Sequence, residues 1–249
     1  MIRSRAVTPS TSDGCSFQEA VAKLLGGEQG QTFRSASERN AEPQKLFALP
    51  LPHHNMRRVY AYLMKQRHID RDIITHFARA GTLYEDAKYH NAVFVGTDEH
   101  GVSRHAQKRS TNSQGKSFKL NVAGSDARYS FHHLGDDGDL YVFEAPIDLL
   151  SYITLHPENW QQHSYVACCG TSYEPVRWIL TRMEAPQMVS LCLDHDNAGD
   201  QGCERMAKQI SSEFGFPTRR LVPEQKDWNE DLCALREAPR RQRMEMEMR

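Results

Sequence analysis

The chain has 249 residues, 25% of them charged, and a formal net charge of −1. That length suits one large domain or two small ones, with core enough to fold without covalent staples. No apolar run approaches the ~20 residues of a membrane helix, and the basic start Met1-Ile2-Arg3-Ser4-Arg5 leads into no hydrophobic region of the kind a secretory leader needs.

The six cysteines form neither a CxxC pair nor a zinc-finger spacing. Cys168 and Cys192 sit in apolar runs, as small buried hydrophobes do in a reducing compartment. The expectation is a cytoplasmic protein with no membrane association, no structural disulfide and no zinc.

In chain order, residues 1–50 read as a residual helix and linker. Ser16 caps a short helix over 16–25, Glu19 completes a capping box, and Gly26 or Gly27 ends it. Residues 28–50, rich in Gln, Ser, Glu and Pro, read as linker. Two helices follow: Met56 to Arg67, with Val59, Tyr60, Leu63 and Met64 on one face, and Asp70 to Ala80, capped by Asp70 and closed by Gly81. Strands are predicted at Asn91 to Gly96 and Val102 to Arg109 around the turn Asp98-Glu99-His100-Gly101, and at Ser117 to Val122 after a polar loop. Adjacent His53 and His54 lack partners at zinc spacing and read as exposed.

After the turn Asp136-Asp137-Gly138-Asp139 the pattern changes. Strands at 140–143, 164–169, 188–193 and 218–222 alternate with helices at 146–155, 173–183, 198–214 and near 228–236. Repeated strand–helix units imply a parallel sheet with right-handed crossovers. The predicted units are therefore 1–50, a basic α+β subdomain at 51–138, an α/β domain at 139–236, and a flexible tail at 237–249.

Two acidic motifs stand out. Tyr141-Val142-Phe143-Glu144-Ala145-Pro146-Ile147-Asp148 and Leu191-Cys192-Leu193-Asp194-His195-Asp196-Asn197-Ala198-Gly199 each break an apolar run with carboxylates. Buried parallel strands end so when their carboxyl edge carries a site, and oxygen ligands suit hard dications. Acids that cap the following helices would give the same pattern. His195 between the aspartates reads as facing solvent or supporting the site from behind, and pointed inward it could bind metal or phosphate. Cys169, at the end of a strand, reads as a nucleophile only with a paired His, and none is evident.

Charge is divided unevenly. Residues 1–138 carry 19 Lys/Arg against 14 Asp/Glu, and residues 139–249 carry 12 against 18. A basic module beside an acidic, metal-capable one suits a polyanionic substrate, although a solvated basic loop fits the same composition.

With these motifs on hand, residues 139–232 resemble a Toprim domain, the metal-binding module of bacterial DnaG-type primases, topoisomerases and several nucleases. Glu144 matches its first-strand glutamate, and Asp194 and Asp196 its Asp-x-Asp. Lys226-Asp227-Trp228-Asn229-Glu230-Asp231-Leu232 resembles the segment that closes primase Toprim domains. Tyr60 to Glu85 is similar to the "YL…RGI…F" segment before the primase core, with His68 where Gly is usual. Residues 91–125 resemble the basic subdomain of that core.

The resemblance covers about residues 56–233 and is strongest to primase-like Toprim proteins of plasmids and conjugative elements. The zinc-binding module that precedes many primases is represented only by helix 16–25 and a lone Cys15.

The resemblance implies an α/β fold, a Toprim domain with a Rossmann-like parallel sheet flanked by helices behind a small basic subdomain. It also implies a primase-type nucleotidyltransferase acting on single-stranded DNA with nucleoside triphosphates, in replication or conjugative transfer of a mobile element. Glu144, Asp194 and Asp196 would be the catalytic and metal residues, holding Mg2+ or Mn2+. Asp148, Lys226 and Asp227 would support them. Arg104, Lys108, Arg109, Lys116 and Lys119 would contact template or triphosphate, Arg109 and Lys119 foremost. A relaxase or helicase is the implied protein partner. A Toprim metal-dependent nuclease and a non-catalytic DNA-binding adaptor use the same features and remain alternatives.

Overall fold

The structure, a computed structural model, describes residues 46–112, 117–183 and 186–247, with 239–247 as backbone alone. The predicted helix at 16–25, most of the predicted linker and Lys116 lie outside the described residues.

The chain first builds an antiparallel layer. Helix α1 (Arg57–Ala61) passes directly into a π-turn at Tyr62–Gln66, and α2 (Arg71–Arg79) follows. As the sequence suggested, Asp70 caps α2, its carboxylate accepting from the Asp72 N–H at 2.7 Å. Strands β1 (Leu83–Glu85), β2 (Ala92–Thr97), β3 (Ser103–Arg109) and β4 (Lys119–Asn121) form a meander in that order. Strand β2 is buried on both faces. Ala92 and Phe94 join the main core, while Val93 and Val95 meet Ala106 in a smaller cluster on the other side.

The second layer alternates strand and helix. Its elements are β5 (His132–His133), β6 (Asp139–Phe143), α3 (Pro146–Leu155), β7 (Ser164–Ala167), α4 (Glu174–Leu180), β8 (Met188–Leu191), α5 (Asn197–Glu213), β9 (Thr218–Arg220) and α6 (Trp228–Glu247). The sheet order is β5-β7-β6-β8-β9, parallel throughout except for the edge strand β5. Strands β6 and β7 are buried along their length but for Asp139 at the start of β6, and are apolar after their first residue, as suits strands covered on both faces. Helix α3, buried from Pro146 to Thr154, packs against α2 and α6. The core around it takes Leu63, Ile74 and Phe94 from the first layer, and Phe143, Leu150 and Trp228 from the second.

Four elements differ from the sequence reading. Strands β1 and β5, of three and two residues, were not anticipated. The helix expected over 56–67 changes to a π-turn midway. This rotates Tyr62 inward and leaves Met64 39% exposed instead of on the buried face. Helix α6 runs on to Glu247, past the end expected near 236 and through Pro239.

Candidate nucleic-acid and metal site

The strand order places the acidic motifs. From β6 the chain moves to β7 on one side, and from β8 to β9 on the other. The carboxyl ends of adjacent β6 and β8 thus form the switch point where such sheets open a crevice. Glu144 follows β6, and Asp194 and Asp196 follow β8. Ala145 takes an extended conformation (φ −135°), so no glycine is needed after Glu144. Gly199, at the start of α5, is needed, since a Cβ there would fall on the Asp194 carbonyl oxygen.

Capping accounts for some of the acids. The Asp196 carboxylate accepts from the Gly199 N–H at 2.9 Å and caps α5. Asp227 does the same for the Glu230 N–H at 2.8 Å, at the start of α6. Glu144 and Asp194 cap nothing, and Asp194 Oδ1 is buried with no hydrogen-bond partner among the described residues.

Asp194 lines a cleft of about 260 Å³ together with Asp148, Lys226 and Asp227 from the parallel layer and Gln107, Arg109 and Lys119 from the antiparallel one. Glu144 meets Lys119 at its mouth, with Nζ and Oε1 3.6 Å apart. Asp196 is exposed beside it. The oxygens of Glu144, Asp194 and Asp196 do not close into a ligand cluster within 4.8 Å, as two other groups of the described residues do.

The crowding of acids shows in their titration. Burial, then the charges of Glu144 and Asp227, push Asp194 up to about 6, against the pull of Lys119. Asp148 is 6% exposed. Burial holds it well above the usual carboxylate range, helped by Asp227 and Asp194 and opposed by the Asn229 backbone N–H. An oxygen-only donor set that destabilises its own negative charge fits a hard dication.

The basic residues divide by strand parity. Arg109 and Lys119 are register partners across β3 and β4 and share the face toward the cleft. Lys108 alternates to the opposite face, and Arg104, at the register slip of β3 against β2, is held by Asp98, which accepts from its Nε at 2.7 Å. Lys226 lines the cleft and is exposed. Its carbonyl accepts from the His195 N–H at 2.7 Å, which leaves the His195 ring exposed. Phe118 is 41% exposed, whereas Tyr129 lies edge-on to Trp178 at 5.1 Å. Burial pushes the Cys169 thiol up to about 12, which disfavours the thiolate a nucleophile needs.

Several residues escaped the sequence reading. Arg67 donates from Nε to Tyr62 Oη at 2.9 Å and from Nη1 to Asn229 Oδ1 at 3.0 Å, and Arg109 Nε reaches the same Tyr62 oxygen at 3.3 Å. Asn229 in turn donates to the Arg67 carbonyl and to Ser151 Oγ, both at 2.9 Å, tying the two layers behind the cleft. Arg220 on β9 donates to the carbonyls of Leu193 at 2.7 Å and Asp194 at 2.9 Å, fixing the backbone that presents Asp194. The only signal for Arg67 was its place in the "YL…RGI" resemblance. His68, the residue at the Gly position of that segment, has φ +55°, the left-handed region that favours glycine.

Comparison with known proteins agrees with this geometry. Residues 141–232 match the family described as Toprim-like. The chain carries a Toprim-like domain. Residues 61–137, ahead of it, match a family described only as a protein of unknown function, DUF3991. A Bacillus anthracis relative, the uncharacterized protein pXO2-78, is 28% identical over 88% of this chain and 70% of its own length.

Among solved structures, the primase fragment of the bacteriophage T7 primase-helicase protein superimposes with a TM-score of 0.53. It is 18% identical and covers 69% of this chain and 68% of its own. A chain from a T7 lagging-strand DNA polymerase complex, in which primase domains of two gp4 subunits bind an RNA/DNA hybrid and dTTP, gives 0.51. It is 19% identical over 71% of this chain and 85% of its own. The Toprim-like domain and the layer before it together have a primase-like fold.

Proposed function

We propose that this protein is a primase-like nucleotidyltransferase that extends or initiates a strand on single-stranded DNA. The observation that carries the reading is the cleft itself, where Asp194 and Asp148 face Arg109 and Lys119 across the gap between the layers. Carboxylates at the switch point suit a dication, and cations on the facing sheet suit phosphates.

Glu144 and Asp194, with Asp196 at the rim, would hold Mg2+ or Mn2+, with Asp148 and Asp227 behind them. Such an ion, when bound, lowers the pKa of an attacking hydroxyl and steadies charge on a leaving phosphate. The chain's own residues do the positioning. Arg220 holds the Asp194 backbone, Tyr62 and Asn229 hold Arg67, and Arg109 and Lys119 offer charge to a triphosphate or template phosphate. The T7 primase domains that share the fold bind an RNA/DNA hybrid and dTTP, and the relative bearing a pXO2 name agrees with a part in the replication or transfer of a mobile element, in company with a relaxase or helicase.

The test is incubation of the protein with single-stranded DNA, labelled nucleotides and Mg2+. Labelled oligonucleotides are expected, with a fall of at least about 100-fold for Glu144→Gln, the scale on which removing a charge-stabilising group acts. Shortening of end-labelled DNA without nucleotides would assign the acids to a nuclease instead. Salt-sensitive binding with neither reaction, unchanged in Glu144→Gln, would leave an adaptor.

A further inference from the structure

A second cluster lies on the antiparallel layer and plays no part in the acid cleft. His53, Glu85 and His90 bring one ligand atom each to within 4.8 Å of one another. Glu85 Oε1 is 2.6 Å from His90 Nδ1 and 3.8 Å from His53 Nδ1. The sequence hid the group, because its members come from an extended segment, a three-residue strand and the turn before β2. Pairing brings them together. The His53 N–H donates to the Glu85 carbonyl at 2.7 Å, and Pro52 bridges Asp86. Far from being exposed, as its neighbours in sequence suggested, the His53 side chain is 19% accessible.

We propose that His53, Glu85 and His90 bind a transition-metal dication of the zinc class. The carboxylate is the strongest part of the case. Glu85 is 1% exposed, and among the described residues no Lys or Arg pairs with it. A buried carboxylate needs a compensating charge. Its Oε2 is already taken by the N–H groups of Arg58 and Val59, at 3.0 and 3.2 Å, at the start of α1. Only Oε1 remains, and it faces two imidazoles.

Zinc with nitrogen and oxygen ligands near 2.0–2.2 Å sets tetrahedral donors roughly 3.3–3.6 Å apart. The His53–Glu85 separation of 3.8 Å is near that spacing, and the His90–Glu85 hydrogen bond of 2.6 Å opens by somewhat under an ångström to admit the ion. As the ion takes its place, the proton that joins His90 to Glu85 would leave to solvent and His53, whose Nδ1 meets the Asn55 carbonyl at 3.0 Å, would carry its proton on Nε2 instead, with a water completing the shell on the open side. The backbone is fixed for the purpose. His90 holds φ +58°, and its carbonyl is tied by Thr111 Oγ1 at 2.8 Å. Two imidazoles and one carboxylate prefer zinc-class ions to the magnesium that suits the all-oxygen cleft. The ion would act as a clip, holding the segment before α1 against the edge of the sheet.

The experiment is equilibrium dialysis of the full, untagged chain against Zn2+, followed by metal analysis, with Co2+ absorption to report ligand geometry. One tightly held equivalent and a tetrahedral Co2+ spectrum are expected for the wild type and for Glu144→Gln. Affinity should fall at least tenfold in both His53→Gln and His90→Asn, the latter chosen because Asn tolerates a left-handed backbone. Zinc should raise the melting temperature of the wild type and of neither variant. The proposal is overturned if the wild type holds no more zinc than the two variants, or if removal of the cleft acids, not of the imidazoles, abolishes uptake. Should His90→Asn fail to fold, His53→Gln alone decides.

Discussion

Asp194 and Asp196 stand two positions apart on one turn and differ in kind. Asp196 spends its carboxylate on a helix N–H, whereas Asp194 keeps a buried oxygen with no hydrogen-bond partner among the described residues. Sequence alone could not divide these roles, because both residues fit a cap and both fit a ligand. His105 on β3 poses a different question. It is 1% exposed, and its Nδ1 lacks a partner among the described residues. Burial pushes its imidazole down from 6.5 to about 4, against the pull of Asp126. Above pH 6.5 the ring is neutral folded or unfolded and contributes no pH dependence. As pH falls from 6.5 toward 4, the unfolded chain takes a proton that the folded one refuses, and stability declines by up to roughly 3 kcal/mol. Urea unfolding of His105→Leu at pH 7 and pH 4.5 is expected to show a clearly smaller loss on acidification than the wild type. An equal loss would place the acid sensitivity elsewhere.

At the scale of elements, the parallel layer was legible because β6 and β8 lie in apolar runs ended by acids and helical spacing alternates with the strands, a pattern that belongs to no amphipathic helix. Strands β1 and β5 were illegible because two or three residues carry no period, and only pairing with a neighbour defines them. The π-turn at Tyr62 was hidden for another reason. The apolar spacing of Val59, Tyr60, Leu63 and Met64 fits an unbroken helix, and the extra residue per turn follows from what surrounds Tyr62, whose hydroxyl must meet both Arg67 and Arg109. The acids could be picked out one by one, but the partners that hold them could not. Arg220 and Asn229 act over distances in the chain that no local motif spans. Immediately after this turn, His68 carries the cost of a left-handed backbone. His68→Gly is expected to stabilise the fold by about 1 kcal/mol in urea unfolding. A destabilised variant would mean that the imidazole contributes contacts outweighing the strain.

At the scale of the molecule, cations of the antiparallel layer and acids of the parallel layer line one cleft, yet not every described cation belongs to its wall. Strand pairing puts Arg109 and Lys119 in the cleft wall, whereas Arg104, at the register slip, pairs with Asp98 and does not line the cleft. In titrations of single-stranded DNA at several salt concentrations, Arg109→Gln and Lys119→Gln are each expected to lower the slope of log K against log salt by about 0.7. Arg104→Gln should leave the slope unchanged. Equal effects from all three would mean that the whole basic half, not one face of it, meets the strand.

The ion pair between Lys119 and Glu144 joins these walls. It spans the entrance, and its lysine belongs to a short edge strand whose side chains are all exposed. The ammonium therefore works as a tenant counter-ion, keeping the acidic lip quiet while nothing else does so. Under the proposed function, a dication among the acids would compete with Lys119 for Glu144 and release the ammonium for a phosphate. Loading of the acids and readiness for the polyanion would thereby be linked through a single side chain.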